Sequence, residues 1–404
     1  MKNKIKSKKL GCEKRSGIGP KIIELLAVTL SAQIMMLPFM IYHFGKISLT
    51  FWIANLLASP LLGVTILLGL ITLFLSFIFL PIASISAFIL MYLLKLFLVV
   101  ARLTSLLPFS KVYVPIPPFS IFILYYFFLL WCVFTQKRAK EKREFLKKSL
   151  YIVSIFVVIG KVITYIPKEF IIHFIDVGQG DCCLIQTPYG KNILIDGGGS
   201  KEYDIGKSIL LPYLLHRRII HIDMAIISHF DEDHCQGLFT VMKELKVKNV
   251  IIGKQFEACE NYEELKKIVK NKKIKVRVVE AGQRIKIEKE LYFDVLWPSS
   301  DNVINENSIN NNSLVCKMVY KDFSMLFTGD IEEIAEKVIL EKYKGTKVLQ
   351  STILKVAHHG SKSSSIEKFL DAVKPKIALI GVGEKNTFGH PSQGVLERLE
   401  NIRL

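Results

Sequence analysis

Four side chains able to bind metal are concentrated in residues 229–234, whose sequence is HFDEDH. They are His229, Asp231, Asp233 and His234, and they follow an apolar stretch, residues 224–228, that is typical of a strand. One turn at the end of that strand could direct all four into one site. Neighbouring carboxylates repel each other unless a cation lies between them. The spacing therefore predicts a metal centre, and an ordinary surface loop is the alternative.

Further acidic, histidine-containing and glycine-rich motifs occur along the chain. They are residues 176–181 (DVGQGD), 194–198 (LIDGG), 328–330 (TGD), 358–361 (HHGS) and 389–391 (GHP). In this order the motifs resemble the metallo-β-lactamase-like domain of the ComEC family, the DNA-internalisation channel proteins of naturally transformable bacteria. The HxDxDH and HHGS runs are the most specific parts of a resemblance that covers roughly residues 20–400.

The resemblance implies an α-helical polytopic membrane region followed by an α/β domain with the αβ/βα sandwich of metallo-β-lactamases. We expect a basic leader at residues 1–21, a channel-like region of about five spans at 22–167 and a hydrolase domain at 168–404. The family normally has an OB-like domain and more channel helices upstream, where this sequence starts with the leader. A truncated or split member is therefore expected, partnered by other competence proteins or by a separate chain that supplies those domains.

The amino-acid composition is consistent with a membrane region followed by a hydrolase domain. Of the 404 residues 50% are hydrophobic, and the mean hydropathy of +0.35 is too high for an ordinary soluble enzyme. The net charge of +18 is uneven, because residues 1–167 carry 20 Lys/Arg against 4 Asp/Glu and residues 168–404 carry 34 against 32. The excess of positive charge therefore reflects membrane topology more than a nucleic-acid surface.

Apolar runs in the first part predict transmembrane helices, each of which needs ~20 residues. The runs are at about 22–43, 50–79, 83–107, 119–136 and 149–166. Eight Lys/Arg lie within residues 2–21 and seven within 137–148, so the positive-inside rule places both segments in the cytoplasm. Four crossings between them and a fifth afterwards predict a multi-pass cell-membrane protein whose soluble domain is extracytoplasmic.

Site residues follow from the motifs and from the resemblance. The expected metal ligands are His229, Asp231, Asp233, His234, Asp330 and His358. The catalytic candidates are Asp233, His390 and Lys355. Three residues are expected to orient ligand imidazoles through hydrogen bonds or to replace one ligand, namely His359, Asp196 and Asp176.

Several of these assignments have alternatives. The resemblance implies that Asp330 bridges two metals, but it could instead cap the predicted helix that follows it. By position we favour His358 over His359 as the ligand. His390 could bind metal or donate a proton. Lys355 could neutralise a substrate phosphate or be an ordinary solvated lysine.

The second metal-binding position of the HxDxDH run affects which metal ion the site prefers. Where metallo-β-lactamases usually have histidine, this chain has Asp231, which gives the site more oxygen and less nitrogen. Carboxylate-rich sites suit Mn²⁺ or Mg²⁺, whereas Zn²⁺ has the higher general affinity. We therefore predict two divalent cations, with Mn²⁺ favoured and Zn²⁺ or Mg²⁺ as alternatives. Such a pair can hold a phosphodiester and activate water, which is the chemistry of a nuclease.

A basic run provides a candidate DNA-binding surface. Residues 266–277 contain seven basic side chains and no acidic one. The seven are Lys266, Lys267, Lys270, Lys272, Lys273, Lys275 and Arg277. Such a run can follow a phosphate backbone with an affinity that falls as salt rises. A solvated helix and edge strand are the alternative.

These observations predict a membrane-anchored, metal-dependent DNA nuclease. It would form part of a DNA-uptake channel for natural transformation and hydrolyse phosphodiesters outside the cytoplasm, with DNA and the lipid membrane as partners. One alternative is a cell-surface phosphodiesterase or phosphorylcholine-type esterase, for which the same metal pair would serve. The other is a DNA-conducting channel segment whose soluble domain is inert.

Overall fold

The computed structural model describes residues 18–134 and 168–402, together with residues 144, 147 and 151. The chain forms two compact units, with the boundary between Ile123 and Leu124. The fifth predicted span, at residues 149–166, lies outside the described residues. So do most of the two basic segments on which the predicted orientation depends, and that orientation stays a prediction.

Long apolar helices form the first unit. They are α1 (Ile18–Phe44), α2 (Phe51–Ile78), α3 (Leu80–Ser105) and α4 (Phe119–Phe134), which continues past the boundary, and the strands β1 (Lys46–Ile47) and β2 (Val112–Tyr113) form an antiparallel pair. Among the described residues, three stretches are long and apolar enough to cross a membrane, namely Ile22–Phe44, Phe51–Ile78 and Leu80–Ser105, whereas the apolar helix Phe119–Trp131 is shorter. Large side chains such as Phe77, which is 82% exposed, suit contact with lipid.

The break between α2 and α3 follows from Pro81. Proline lacks an N–H and is favoured in the first turn of a helix, where no hydrogen bond is lost. Phe79 is extended, with φ −155° and ψ 102°, and Pro81 lies in the first turn of α3. The two helices pack together, and a hydrogen bond of 2.7 Å joins the hydroxyls of Thr72 and Ser86. The chain therefore changes from α2 to α3 next to this proline.

The second unit contains two six-stranded sheets. The first has the order β3–β4–β5–β6–β7–β8, with β3 (Ile171–Phe174), β4 (Cys183–Gln186), β5 (Asn192–Ile195), β6 (His221–Ile227), β7 (Lys246–Gly253) and β8 (Lys275–Val279). The second has the order β14–β13–β12–β11–β10–β9, with β9 (Arg284–Lys286), β10 (Leu291–Trp297), β11 (Val315–Tyr320), β12 (Phe323–Phe327), β13 (Ile353–Lys355) and β14 (Ile377–Leu379).

Helices accompany both sheets. They are a π-helical turn (Gly206–Leu210), α5 (Leu211–His216), α6 (Glu232–Glu244), α7 (Glu260–Lys272), the short α8 (Ser308–Asn311), α9 (Glu333–Lys342), α10 (Glu367–Val373) and α11 (Gln393–Asn401), with a 3₁₀ turn at Ala357–Gly360. Asp330 therefore precedes α9 without capping it, because the residue at the N-cap position is Glu332.

The core follows from the alternation of side chains along the strands. Ile193 and Ile195 on β5 pack between the sheets with Phe293 and Met325 from the second sheet, and Leu194 is buried on the other face of β5. Alternate residues of a strand point to opposite faces, so a strand buried on both faces is apolar throughout.

A second apolar cluster joins α9 to α11 with the outer face of the second sheet. It includes Leu326, Ile339, Phe369 and Val395. On the first sheet, α6 contacts β6 and β7. Helices therefore cover the outer faces of two packed sheets, which confirms the predicted αβ/βα sandwich.

Strand direction places the motifs at one edge of this sandwich. Strands β5 to β8 are parallel to one another, and so are β12 to β14. Asp196 and His229 follow the carboxyl ends of β5 and β6, while Asp330 and His359 follow those of β12 and β13. His234 Nε2 lies 3.2 Å from Asp330 Oδ1, so the carboxyl ends from both sheets meet. We refer to this edge as the site edge.

Close approach of α6 to the loop after β5 requires glycine at position 237, where a Cβ atom would lie 2.0 Å from Gly197 O. We predict that Gly237→Ala lowers the free energy of unfolding by roughly 1–3 kcal/mol, the usual cost of overpacking. Gly394→Ala in α11 is the matched control, because its Cβ would meet nothing closer than 3.7 Å. The control should be neutral or stabilising by up to ~1 kcal/mol.

Thermal unfolding of the full chain in detergent, followed by tryptophan fluorescence, measures this difference. Equal midpoints for the two alanine variants would show that α6 does not pack against the loop after β5 as closely as described.

Candidate metal centre

The turn after β6 brings the HxDxDH residues together. Strand β6 ends at Ile227, and Asp231 is the N-cap of α6, where its carbonyl accepts the N–H groups of His234 at 3.1 Å and Cys235 at 3.2 Å. Asp233 and His234 therefore lie in the first helical turn, and His229 lies in the preceding turn. A helix N-terminus also favours nearby carboxylates through its dipole.

Three imidazoles share one arrangement, in which Nδ1 is held and Nε2 is directed into the centre. The Nδ1 partners are Asp196 Oδ2 for His234 at 3.1 Å, Gly381 O for His359 at 2.6 Å and Ser228 Oγ for His229 at 3.0 Å. Asp196 is itself fixed, because its Oδ1 accepts the N–H of Ser228 at 2.8 Å. Hydrogen bonds of this kind set the orientation of metal-binding histidines.

Asp330 lies at the middle of the Nε2 atoms. Its Oδ1 is 3.2 Å from His234 Nε2, and its Oδ2 is 3.2 Å from His359 Nε2 and 4.0 Å from His229 Nε2. Asp233 Oδ2 lies 3.3 Å from His359 Nε2, and Asp231 Oδ2 lies 3.8 Å from His229 Nε2. The structure thus brings five of the six predicted ligands into one cluster and adds His359.

Burial in this cluster leaves polar atoms that need a partner. His229, His234 and Asp330 are each at most 3% exposed. His229 Nε2 has no hydrogen-bond partner among the described residues. Buried polar atoms are rarely left unpaired, and imidazole and carboxylate are common ligands of divalent cations. The residues present therefore fit a divalent metal.

The pKa values of the residues in this cluster also indicate that its carboxylates attract positive charge. Burial alone would lower the pKa of His359, but Asp330 and Asp181 raise it to about 9. Burial and Asp233 raise the pKa of Asp231 to about 6. By contrast, burial and the neighbouring His234 lower the pKa of His229 to about 3. A metal ion would replace the protons that the carboxylates attract, since bound imidazole must be neutral.

Lys355 is buried, with only 3% exposed. Its Nζ contacts Asp181 Oδ2 and lies 3.2 Å from Gly329 O and 3.5 Å from Asp330 Oδ1. Burial alone would lower the pKa of Lys355, but Asp181 and Asp330 raise it. The ammonium group of Lys355 is therefore bound by acceptors inside the protein. This corrects both expectations for Lys355, a solvated lysine and a contact to substrate phosphate.

Asp181 was missed as a site residue. Its carboxylate belongs to a buried group with His234, Asp330 and His359 whose candidate ligand atoms all lie within 4.8 Å of one another. It nevertheless approaches the Nδ1 atoms of the two rings, at 3.7 and 3.9 Å, and pairs with Lys355. We therefore assign it to hold Lys355 rather than a metal. Its position two residues before β4, at the end of the DVGQGD motif, was the available signal.

The structure places His359 in the cluster in the position expected for His358. Both residues have left-handed backbone, with φ 49° and 54°, which is uncommon for residues other than glycine. His359 is 1% exposed, whereas His358 Nδ1 lies 3.5 Å from Glu332 Oε1 and its ring centre lies 5.8 Å from that of His390. We therefore favour His359 over His358 as the candidate metal ligand.

The remaining candidates lie apart from the Nε2 cluster. Asp176 is exposed and accepts the N–H of Gly178 at 2.9 Å, so it fixes a turn instead of an imidazole. Helix α7 leads from the site edge to the start of β8, so the basic run at residues 266–277 extends towards the opposite edge. Lys266 Nζ is paired with Glu263 at 2.6 Å.

The end of α8 and the residues between it and β11 fix the backbone around Asp330. Ser313 Oγ accepts the N–H of Asp330 at 3.3 Å, and Asn311 Oδ1 accepts that of Glu332 at 3.0 Å. The N–H of Leu314 donates to Ser228 O at 2.7 Å, which joins this segment to the turn after β6. These contacts were not assigned from the sequence, although the polar run at residues 310–313 lies directly before a strand.

Two family descriptions match the chain in succession. Residues 5–139 match "Competence protein", and residues 175–384 match the "Metallo-beta-lactamase superfamily". The second match covers more than half of the chain. The chain belongs to the metallo-β-lactamase superfamily. The pairing of this superfamily domain with a competence region confirms the resemblance to the ComEC family.

The chain is also similar to two curated proteins. ComE operon protein 3 of Bacillus subtilis is 32% identical over 248 residues, 58% of this chain and 31% of the relative. Competence protein ComA of Neisseria gonorrhoeae is 29% identical over 224 residues, 55% of this chain and 28% of the relative. The chain thus matches less than a third of the length of each. A subclass B3 metallo-β-lactamase from a soil metagenome, MEM-A1, aligns with a TM-score of 0.33 and 12% identity, covering 59% of this chain and 99% of that one.

The revised ligand set gives a direct test. We predict that His359→Ala weakens metal binding by more than the ~10- to 100-fold that follows loss of an outer hydrogen-bond partner. His358→Ala, its matched neighbour, should leave affinity and stoichiometry unchanged. Elemental analysis and titration of the full chain in detergent with Mn²⁺ and Zn²⁺ measure both. Loss of metal in His358→Ala alone would restore the first assignment.

Proposed function

We propose that this superfamily member is a metal-dependent nuclease that hydrolyses DNA phosphodiesters as part of a DNA-uptake apparatus. The observation that carries the proposal is the placement of Asp330, whose two oxygens each lie 3.2 Å from a different Nε2 atom. A carboxylate that faces two sets of ligands is suited to lie between two cations. The competence region at residues 5–139 supports DNA as the substrate.

The proposed ligands surround Asp330. They are His229, Asp231, Asp233, His234, Asp330 and His359. Bound there, two divalent cations would polarise the phosphoryl oxygens and lower the pKa of a water molecule. Mn²⁺ is the favoured ion, with Zn²⁺ or Mg²⁺ as alternatives, because three carboxylates accompany three imidazoles.

Other residues of the chain orient this set and complete the chemistry. Asp196, Gly381 and Ser228 hold the three rings through Nδ1. Lys355 balances the charge of Asp181 and Asp330. His390 is the proposed proton donor to the leaving oxygen, because its ring adjoins that of His358 and its buried Nδ1 has no hydrogen-bond partner within the described ranges.

The cellular setting is part of the same proposal. We infer that the domain lies outside the cytoplasm and acts on DNA before or during its passage across the membrane. Other competence proteins, or a chain that supplies further channel domains, are proposed partners. Contact between DNA and the basic run at residues 266–277 also stays a prediction, and it requires a strand that extends well beyond the metal centre.

Hydrolysis by the full chain reconstituted in nanodiscs tests the activity. With Mn²⁺, labelled DNA should be degraded, and Asp330→Asn should lower kcat by about 10³-fold, since a bound metal contributes several kcal/mol to the barrier. Asp371→Asn, an exposed aspartate on α10, is the matched control and should be unaffected.

The choice of substrate separates the alternatives. Cleavage of a small phosphodiester or of phosphorylcholine esters without cleavage of DNA would favour a cell-surface esterase. Metal binding without hydrolysis of any of these substrates would indicate an inert domain and contradict the proposed nuclease.

Asp231→His should change which metal supports activity. The substitution replaces a hard oxygen ligand with imidazole, so the preferred ion is expected to move from Mn²⁺ towards Zn²⁺. Hydrolysis rates of the wild type and the variant are compared across a series of metals at matched free concentrations. An unchanged rank order would remove Asp231 from the ligand set.

A further inference from the structure

An open groove of about 820 Å³ lies at the edge of the first sheet opposite the site edge. Strands β5 and β6 begin there, as does β3, because β3 and β5 are both antiparallel to β4. The groove is lined by Lys168, Tyr189, Arg217, Arg218 and His221, among others. It shares no lining residue with the metal centre.

Charge in the groove is mainly positive. Lys168, Arg217 and Arg218 are exposed cations, and His216 and His221 add two imidazoles. Glu169 is the single carboxylate among the lining residues. The groove therefore suits an anionic ligand.

Exposed apolar side chains accompany these cations. Tyr189 is 67% exposed, Ile220 is 40% exposed and Ile171 is 38% exposed. An amphipathic aromatic ring next to lysine and arginine is characteristic of the headgroup layer of a membrane. Basic side chains in this layer attract acidic phospholipids.

Local structure holds the groove open. Helix α5 ends at His216, and the N–H of Ile219 donates to Leu214 O at 2.8 Å. Arg218 has φ 62°, an uncommon conformation for arginine, which the closed turn maintains. On the other side, the N–H of Lys168 donates to Pro188 O at 2.8 Å, which keeps Lys168 beside the turn that carries Tyr189.

The position of the groove in the chain also indicates a membrane. The span predicted at residues 149–166 lies outside the described residues, but it ends two positions before Lys168. Two residues of extended chain cover about 7 Å at most. With the predicted span in the bilayer, Lys168, three residues before β3, would lie within reach of the lipid headgroups on whichever side the domain is located.

We propose that this groove docks on the membrane surface and binds the phosphate groups of acidic phospholipids. The docked domain then directs its site edge away from the bilayer, because β6 separates the two edges by about 23 Å, the length of seven strand residues. A DNA strand at Asp330 and a lipid in the groove can be bound together. The inference does not depend on the proposed hydrolysis.

The full chain in nanodiscs provides the test. A solvent-sensitive fluorescent amino acid is introduced at Ile220 by stop-codon suppression, and the discs contain lipids with a quencher at the headgroup. Quenching should be stronger in discs that contain phosphatidylglycerol than in phosphatidylcholine alone, and added salt should weaken it. The same probe at Phe388, which is 68% exposed and stacks on His390 at the site edge, should show little quenching in either lipid.

Charge reversal identifies the side chains responsible. Arg217→Glu combined with Arg218→Glu should reduce quenching at Ile220 to the level seen in neutral lipid. Arg217→Lys combined with Arg218→Lys keeps the charge and should keep the quenching. Lys201→Glu combined with Lys385→Glu, on the site edge, is the matched control and should have no effect.

Several outcomes would overturn the proposal. The first is quenching at Ile220 in the unaltered chain that does not depend on lipid charge. Because this measurement uses the unaltered chain, it does not depend on whether any variant folds. A response of the Ile220 probe to a short DNA oligonucleotide in neutral discs, lost in the glutamate variant, would assign the groove to nucleic acid. A response to inorganic phosphate at constant ionic strength would assign it to a free anion.

Discussion

The contact of Asp330 with the imidazoles of His234 and His359 is the interaction on which the functional part of the molecule depends. Asp330 and His359 come from the second sheet and His234 from the first, so the cluster exists only when the two sheets pack together. The apolar core between the sheets provides the free energy for that packing. Even so, it is the segment at residues 310–314, in which Ser313 bonds to Asp330 and Leu314 to Ser228, that sets the register of the two edges.

Burying several carboxylates together has a consequence for the whole edge. An unpaired buried charge is strongly unfavourable, so each carboxylate must be paired or bind a cation. Asp181 is paired with Lys355, and Asp196 with the Nδ1 side of His234. Asp330 and Asp233 are left facing Nε2 atoms, where a cation can replace a proton. The ammonium group of Lys355 therefore stabilises the folded edge, whereas Asp330 and Asp233 remain the proposed metal ligands.

Much of this could be predicted from the sequence, because strand alternation and proline positions act locally. The strands around residues 193 and 315 and the break at Pro81 follow from local pattern. The choice between His358 and His359 does not, because it depends on two successive left-handed residues that no spacing rule indicates. The role of Lys355 was also inaccessible, since its partner Asp181 is distant in sequence and belongs to the other sheet.

Parallel strands give the domain two chemically different ends. At the carboxyl ends the turns converge on buried carboxylates and imidazoles, and at the opposite end the turns carry Lys168, Arg217 and Arg218 on the surface. A chain that enters at the start of β3 must enter at the basic end, because β3 has the same direction as β5. The start of β3 and the metal centre are thus separated by about the length of a strand. For the proposed membrane-anchored nuclease this separation would leave the metal centre open to a long polymer, whereas an anchor at the site edge would place the bilayer in the path of that polymer.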